Sequence, residues 1–201
     1  MLEFIKKIKS SCPWIWNVIE WGNGLMIRAF YGKRIDEAVA RNSAFVGGYD
    51  YRRLTRVDAR RLSEFISRQP KGFDKFFKPH SFDENTFRRL LVNGSYLFVG
   101  AYDGDTLVAY CFVRLFVNKS AFRGYIVDSN YQGKGISKQM GKIMTDIADE
   151  IGFRSFATIS KENVASLQSQ KAGAEVRVVR ELSDDYLYVE IMKSDSRTSV
   201  Q

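Results

Sequence analysis

Ile136, Met140, Ile143, Met144, Ile147 and Ile151 fall at offsets of 4, 7, 8, 11 and 15 and so form one continuous stripe along an α-helix. A stripe of that length requires an apolar surface to lie against. Three runs rich in aromatic and β-branched residues precede it, Tyr96 to Tyr102, Thr106 to Val117 and Phe122 to Asp128. The first two are joined by Asp103-Gly104-Asp105, whose Asp-Gly pair favours a tight hairpin, and the third follows Asn118-Lys119-Ser120. The centre of the chain therefore reads as an antiparallel meander with the striped helix packed on it.

Upstream, Tyr51 opens a strand, Asp58 is placed to cap a helix through Leu62, Phe65 and Ile66, and Asp83 precedes a second helix carrying Phe87, Leu90 and Leu91. Downstream, Phe153 to Ser160 reads as a strand and Asn163 to Ala172 as a helix. Val176 to Arg180 and Tyr186 to Met192 read as a closing strand pair. Residues 1 to about 45 read as short helical pieces, interrupted at Pro13 and broken at Gly22-Asn23-Gly24. The expected organisation is a helical arm over residues 1–50, one principal domain over 51–193 and a flexible tail over 194–201.

With 201 residues, 45% of them hydrophobic, the chain can bury one substantial core plus an appendage. Its net charge of +8 is uneven: residues 1–90 hold 18 Lys and Arg against 10 Asp and Glu, whereas residues 91–201 hold 13 against 13. That field could steer an anionic acceptor, or only keep a basic surface hydrated. No ordered aromatic and basic readout motif accompanies it, so no nucleic acid is expected. Cys12 and Cys111 make neither a disulfide framework nor a metal motif, so no metal is expected and a cytoplasmic location is. No segment approaches the roughly 18 consecutive apolar residues that span a bilayer, nor does an uninterrupted apolar stretch follow the lysines at 6, 7 and 9 as in a secretory signal. Trp14, Trp16 and Trp21 beside those lysines could hold residues 1–24 at an anionic membrane interface. Packing onto the domain or against a second copy in a homodimer is the competing reading.

The chemistry concentrates where the third strand meets the striped helix. Gly133 and Gly135 let consecutive backbone N–H groups approach a phosphate, the helix dipole adds attraction, and Lys134 supplies charge beside the turn. A pyrophosphate is the natural ligand.

The run Val127-Asp128-Ser129-Asn130-Tyr131-Gln132-Gly133-Lys134-Gly135-Ile136-Ser137 resembles the signature of the GNAT acyltransferase superfamily, a Val-ended strand leading into Gln/Arg-x-x-Gly-x-Gly/Ala. Ser137 stands where that pattern has Gly or Ala. A second motif follows in order: Asn163-Val164-Ala165-Ser166, then Lys171-Ala172-Gly173-Ala174, resembles the family's Asn-x-x-Ser/Ala helix and its Lys-x-Gly ending. The resemblance covers roughly Tyr51 to Met192. It implies an α/β fold with a mixed, mostly antiparallel sheet, helices on both faces and splayed central parallel strands near Phe122 to Asp128 and Phe153 to Ser160. It also implies acetyl-CoA as co-substrate. The pantetheine would pair with backbone groups of Tyr125, Ile126 and Val127, the diphosphate would sit on Gln132, Gly133, Lys134, Gly135, Ile136 and Ser137, and Asn163 and Ser166 would touch the arm or cap their helix.

In such enzymes the acceptor amine attacks the thioester directly, which calls for a donor to the carbonyl, a base and an acid for the departing thiolate. The resemblance gives the first role to the Val127 N–H. The acid is usually a Tyr on the helix after the Asn motif, but here the helix is about one residue short, and counting from its two ends lands on Gln170 and Ser169. Tyr131 and Tyr188 are the substitutes considered, and no carboxylate occurs from Phe122 to Val127, where many relatives carry a base. His80 is the only histidine and titrates in the useful range, so it is a catalytic candidate, with a structural or exposed loop residue as the alternative. Asp128 and Glu162 read as solvated carboxylates. The expected activity is N-acetylation of a small amine, with an anionic or nucleotide-linked amino sugar suggested by the basic first half. A fold that holds CoA without turnover is the alternative.

Overall fold

A computed structural model describes residues 13–183 and 185–194, with side chains from residue 17 onward. The expected tail beyond Ser194, the lysines at 6, 7 and 9, and the side chains of Trp14 and Trp16 lie outside what is described. Five helices and eight strands are present in that range. They are α1 (Pro13–Asn42), β1 (Ala44–Val46), β2 (Tyr49–Arg53), α2 (Ala59–Ser67), α3 (Glu84–Val92), β3 (Tyr96–Asp103), β4 (Thr106–Leu115), β5 (Ser120–Val127), α4 (Ile136–Ile151), β6 (Arg154–Ser160), α5 (Val164–Lys171), β7 (Glu175–Glu181) and β8 (Tyr186–Met192).

All eight strands join one sheet in the order β1-β2-β3-β4-β5-β6-β8-β7. Every neighbouring pair is antiparallel except β5 with β6. The meander, the striped helix and the closing strand pair all form as expected. β4 is buried along almost its whole length because helices cover both faces of the sheet. On one face α1 and α4 pack over Val99, Cys111 and Val113; on the other α2 and α3 enclose Phe98, Tyr102, Tyr110 and Phe112. A third, smaller core joins β6, β8 and Leu167 of α5. This is the mixed, mostly antiparallel sheet with a central parallel pair that the family resemblance implied.

The N-terminal segment differs from the expectation. Instead of short pieces, α1 runs unbroken for 30 residues through Gly22-Asn23-Gly24. The glycines serve proximity rather than a break. A Cβ on Gly24 would lie 2.1 Å from Asn93 Oδ1, and one on Gly94 would lie 2.4 Å from the Gly24 carbonyl oxygen. Asn23 between them fastens the helix to the sheet: its Nδ2 donates to the Leu115 carbonyl at 2.8 Å and its Oδ1 accepts from the Val117 N–H. Glu20 is likewise committed inward, accepting from Arg114 at 2.8 Å and from the Tyr96 hydroxyl at 3.0 Å. The domain boundary expected after residue 50 falls inside β2.

Ile27, Ile35, Ala38 and Val39 of α1 belong to the main core. The opposite side of α1 presents Val18, Ile19, Trp21, Leu25, Met26 and Phe30 to solvent, with Trp21 67% exposed rather than packed on the domain. Among the described residues no helix is long and apolar enough to cross a membrane.

Candidate active site

The sheet opens at its centre. β5 and β6 pair only at Ser120 with Arg154, Ala121 with Ser155 and Phe122 with Phe156, and beyond that point they diverge. The direction of the freed backbone groups follows from strand alternation. The Lys119 carbonyl accepts from Arg154 N–H on the β6 side, while Asp128 N–H donates to Val108 on the β4 side. Odd-numbered residues of β5 thus aim their N–H and C=O at the gap, and even-numbered ones aim theirs at β4. Tyr125 and Val127 present backbone to the opening. Ile126 does not: it stands opposite Tyr110 and turns its backbone toward β4.

The gap is the heart of a cleft of about 370 Å³, bordered by residues 123–127 of β5, residues 157–160 of β6, and Asn163, Ser166, Ser169 and Gln170 at α5. Gln132, Gly133, Ile136 and Ser137 close its outer end, and Phe73, Phe76 and Phe77 wall it on the α2–α3 side. Lys134 and Gly135 lie just behind, on a second basic depression shared with Lys138, Lys142 and Lys193.

Local geometry explains the outer end. Gly133 and Gly135 adopt φ of 75° and 80°, a left-handed conformation that side chains resist, and neither would meet an obstructing atom if it carried a Cβ. Dihedral freedom, not space, is what these positions require. Within the described residues the backbone N–H groups of 132–138 meet no protein acceptor. The first internal bond of α4 is Gln139 N–H to the Gly135 carbonyl, and no side chain caps the helix. Bare N–H groups at the positive end of a 16-residue helix suit a phosphate ester.

Asn163 Oδ1 accepts from the Ser166 N–H at 3.1 Å, so it caps α5 while lining the cleft. Tyr131 lines the cleft too, but its exposed hydroxyl donates to Asp103 at 3.1 Å, which holds its pKa above the usual value, and Lys134 sits over its ring. Tyr188 stacks on Phe156 at 5.3 Å and is not among the cleft residues.

His80 lies elsewhere. Its ring is packed edge-on against Phe82, Phe87, Phe98 and Phe112, with Nδ1 on the Ser81 carbonyl at 2.8 Å, and burial lowers its pKa. The cleft is reached instead by Phe77 from the same loop. Asp128 is buried, not solvated: it accepts from Asn130 N–H and from Gln69 and shapes the turn before the cradle. Glu162 is exposed and bridges across the cleft mouth to Lys75 at 2.9 Å.

Sequence reasoning missed two contributions. The aromatic wall Phe73, Phe76 and Phe77 was visible as a run of phenylalanines between lysines, too rich in ring carbon for an idle loop. Arg123 was visible as a charge on the same strand face as Tyr125 and Val127, a place where charge demands a reason. It is 2% exposed, and its guanidinium donates to Thr145 Oγ1 at 2.7 Å and Gln170 Oε1 at 2.6 Å. Gln170, one of the two positions where a phenol was sought, borders the cleft but is buried, with its amide oxygen committed to Arg123.

A mixed sheet whose central parallel pair parts beside a helix N-terminus, with helices on both faces, defines the fold class of this chain. The chain belongs to the acetyltransferase (GNAT) family, whose model matches residues 60–171. No curated protein matches it. Among solved structures it is similar to the GNAT domain of an S. lividans protein termed PAT, at 18% identity over 71% of this chain and 89% of that one, with a TM-score of 0.61. It is similar also to the PaiA N-acetyltransferase of Thermoplasma acidophilum in complex with coenzyme A, at 16% identity over 73% and 99%, TM-score 0.61. A third is the spermidine N-acetyltransferase of Vibrio cholerae in complex with CoA and spermine, at 16% identity over 72% and 93%, TM-score 0.57.

Proposed function

We propose that the chain transfers an acetyl group from acetyl-CoA directly to the amine of a small acceptor. The observation that carries this is the continuity between the bare N–H groups of residues 132–138 and the unpaired β5 edge. Phosphates anchored on the first would leave the pantetheine to run along the second as if it were a strand, its amides bonded to Tyr125 and Val127. Asn163 and Ser166 would border it from α5. The Val127 N–H, which also faces the gap, is the donor assigned to the thioester carbonyl.

The acceptor would enter past Phe73, Phe76 and Phe77. Ring faces there suit stacking on the sugar or base of an anionic or nucleotide-linked amino sugar, and the basic first half of the chain adds a field that attracts it, although Lys75 and Lys78 are already paired with Glu162 and Asp74. Closeness of the amine to the thioester would supply much of the rate, and water would take the proton that the nitrogen sheds. The reading includes a cytoplasmic location, which fits the buried free thiol Cys111, pushed up to about 12 by desolvation.

Binding and turnover are tested separately. Acetyl-CoA should raise the melting temperature, and a panel of amines, amino sugars and their nucleotide conjugates included, should release free thiol from it. Stabilisation by acetyl-CoA without thiol release from any amine would leave a CoA-binding module and end the enzymatic reading.

A further inference from the structure

From Asn17 to Phe30 the outward side of α1 is apolar. Val18, Ile19, Trp21, Leu25, Met26 and Phe30 are 47% to 72% exposed, on a helix whose other side is locked into the core through Ile27, Ile35 and Val39. The only acid of that stretch, Glu20, is committed inward to Arg114 and Tyr96, and the only base is Arg28, paired with Asp36. The patch is wider than the helix. Val92 lies with Trp21 and Leu25 along one depression of about 320 Å³, and Val117, fastened to Asn23, is exposed beside it. Single apolar side chains on a surface are ordinary, whereas a contiguous run along about 18 Å of rigid helix marks a contact surface.

Charge at the border of the patch selects the partner. Lys33 is 91% exposed, Arg34 donates to the Glu150 carbonyl, and Arg89 borders the depression beside Trp21. Neither arginine meets a carboxylate among the described residues. Upstream, the sequence of residues 1–12 adds Lys6, Lys7 and Lys9 against Glu3 alone, among Leu2, Phe4, Ile5 and Ile8. A second copy of the chain would meet this face with itself, because a two-fold interface is self-complementary, and would set cation against cation. An anionic bilayer satisfies both parts of the surface: acyl chains receive the apolar side chains, headgroups receive the cations, and an indole suits the boundary between them. We infer that the outward face of α1 from Val18 to Phe30 docks on an anionic lipid bilayer, with the helix lying along the membrane surface.

The fold also sets what such docking does to the cleft. Asn23 fastens α1 at Leu115 and Val117, at the end of β4. Val127, at the cleft, stands opposite Ala109 near the other end of that strand. Leu115 lies six residues beyond Ala109, about 20 Å of strand. The docked helix thus holds the protein by the end of the sheet remote from the cleft, which stays open to water. Ligands reach it from solution, and the inference stands whether or not the chain transfers acetyl groups.

The full chain is sedimented with vesicles of phosphatidylcholine and phosphatidylglycerol in equal parts, and with vesicles of phosphatidylcholine alone. It should partition onto the first far more than onto the second, and rising salt should release it. A double variant, Leu25→Glu with Phe30→Glu, alters only exposed positions and should keep the wild-type melting temperature. Its partition onto the mixed vesicles should fall about tenfold or more. Acetyl-CoA should bind the wild-type protein equally well with and without vesicles. A wild-type protein that stays in the supernatant would overturn the assignment, as would binding indifferent to phosphatidylglycerol or undiminished in the double variant. Loss of acetyl-CoA affinity on vesicles would show the cleft itself against the lipid and overturn the docking geometry. A concentration-dependent dimer in sedimentation velocity, abolished by the double variant and accompanied by no vesicle binding, would give the face to a second copy and end the proposal.

Discussion

His80 sits neutral in a cage of phenylalanine rings, its pKa lowered from 6.5 because burial disfavours the imidazolium. The sign of the consequence is fixed by linkage. Below 6.5 the unfolded chain binds a proton that the folded one refuses, so stability is full above that pH and falls as pH drops from 6.5 toward the lower folded value. His80→Leu should flatten this acid limb of a melting-temperature profile while leaving kcat intact, and a large loss of kcat would place the ring in the chemistry after all. Arg123 shows the opposite solution to burial: it keeps its charge by collecting oxygens, although desolvation lowers its pKa to about 10. Both residues were conspicuous in the sequence as charges or titrating groups among apolar neighbours. Neither environment could be read there, because the rings around His80 come from α3, β3 and β4 and the oxygens around Arg123 from α4 and α5. Those are distant stretches of chain that only the finished sheet brings together.

The elements that were legible are those whose information is local. The α4 stripe, the Asp-Gly hairpin, the Asp83 cap and the Gly133–Gly135 turn each need only a few neighbouring residues to declare themselves, and each is present in the fold. Gly135→Ala puts the strength of the last to the test. A side chain at φ of 80° costs about 1–2 kcal/mol, which urea unfolding would register, and the distorted N–H groups should weaken acetyl-CoA binding at the same time. A stability loss with unchanged affinity would mean the turn is only a connector. What was not legible was the first helix, because Gly22-Asn23-Gly24 carries the composition of a break and owes its place to contacts with Asn93, Gly94, Leu115 and Val117. Proximity between distant segments overrode the local preference for a turn. The missing phenol of α5 was legible, because finding it takes only a count along one short helix.

At the scale of the whole molecule, α1 is no appendage. Its Ile27, Ile35 and Val39 share a core with β3, β4 and α4. Ile35→Ala should cost about 2–5 kcal/mol in an unfolding titration, as for any large apolar side chain removed from a core. A cost under about 0.5 kcal/mol, the range of a surface site, would detach the helix from the domain.

The short seam between β5 and β6 has a further consequence. With three paired residues holding the two sides, the sheet is in effect two plates joined along a brief stretch, each ending in an internal strand edge beyond it. Such edges are templates for pairing with another chain. A ligand lying between them would act as a protective strand, adding to stability by mass action, about 2.7 kcal/mol at a hundredfold excess over its dissociation constant. Heated without acetyl-CoA the protein should scatter light earlier than with it, and by more than the shift in melting temperature alone accounts for. Cofactor supply would then govern whether this fold stays in solution as well as how fast it works.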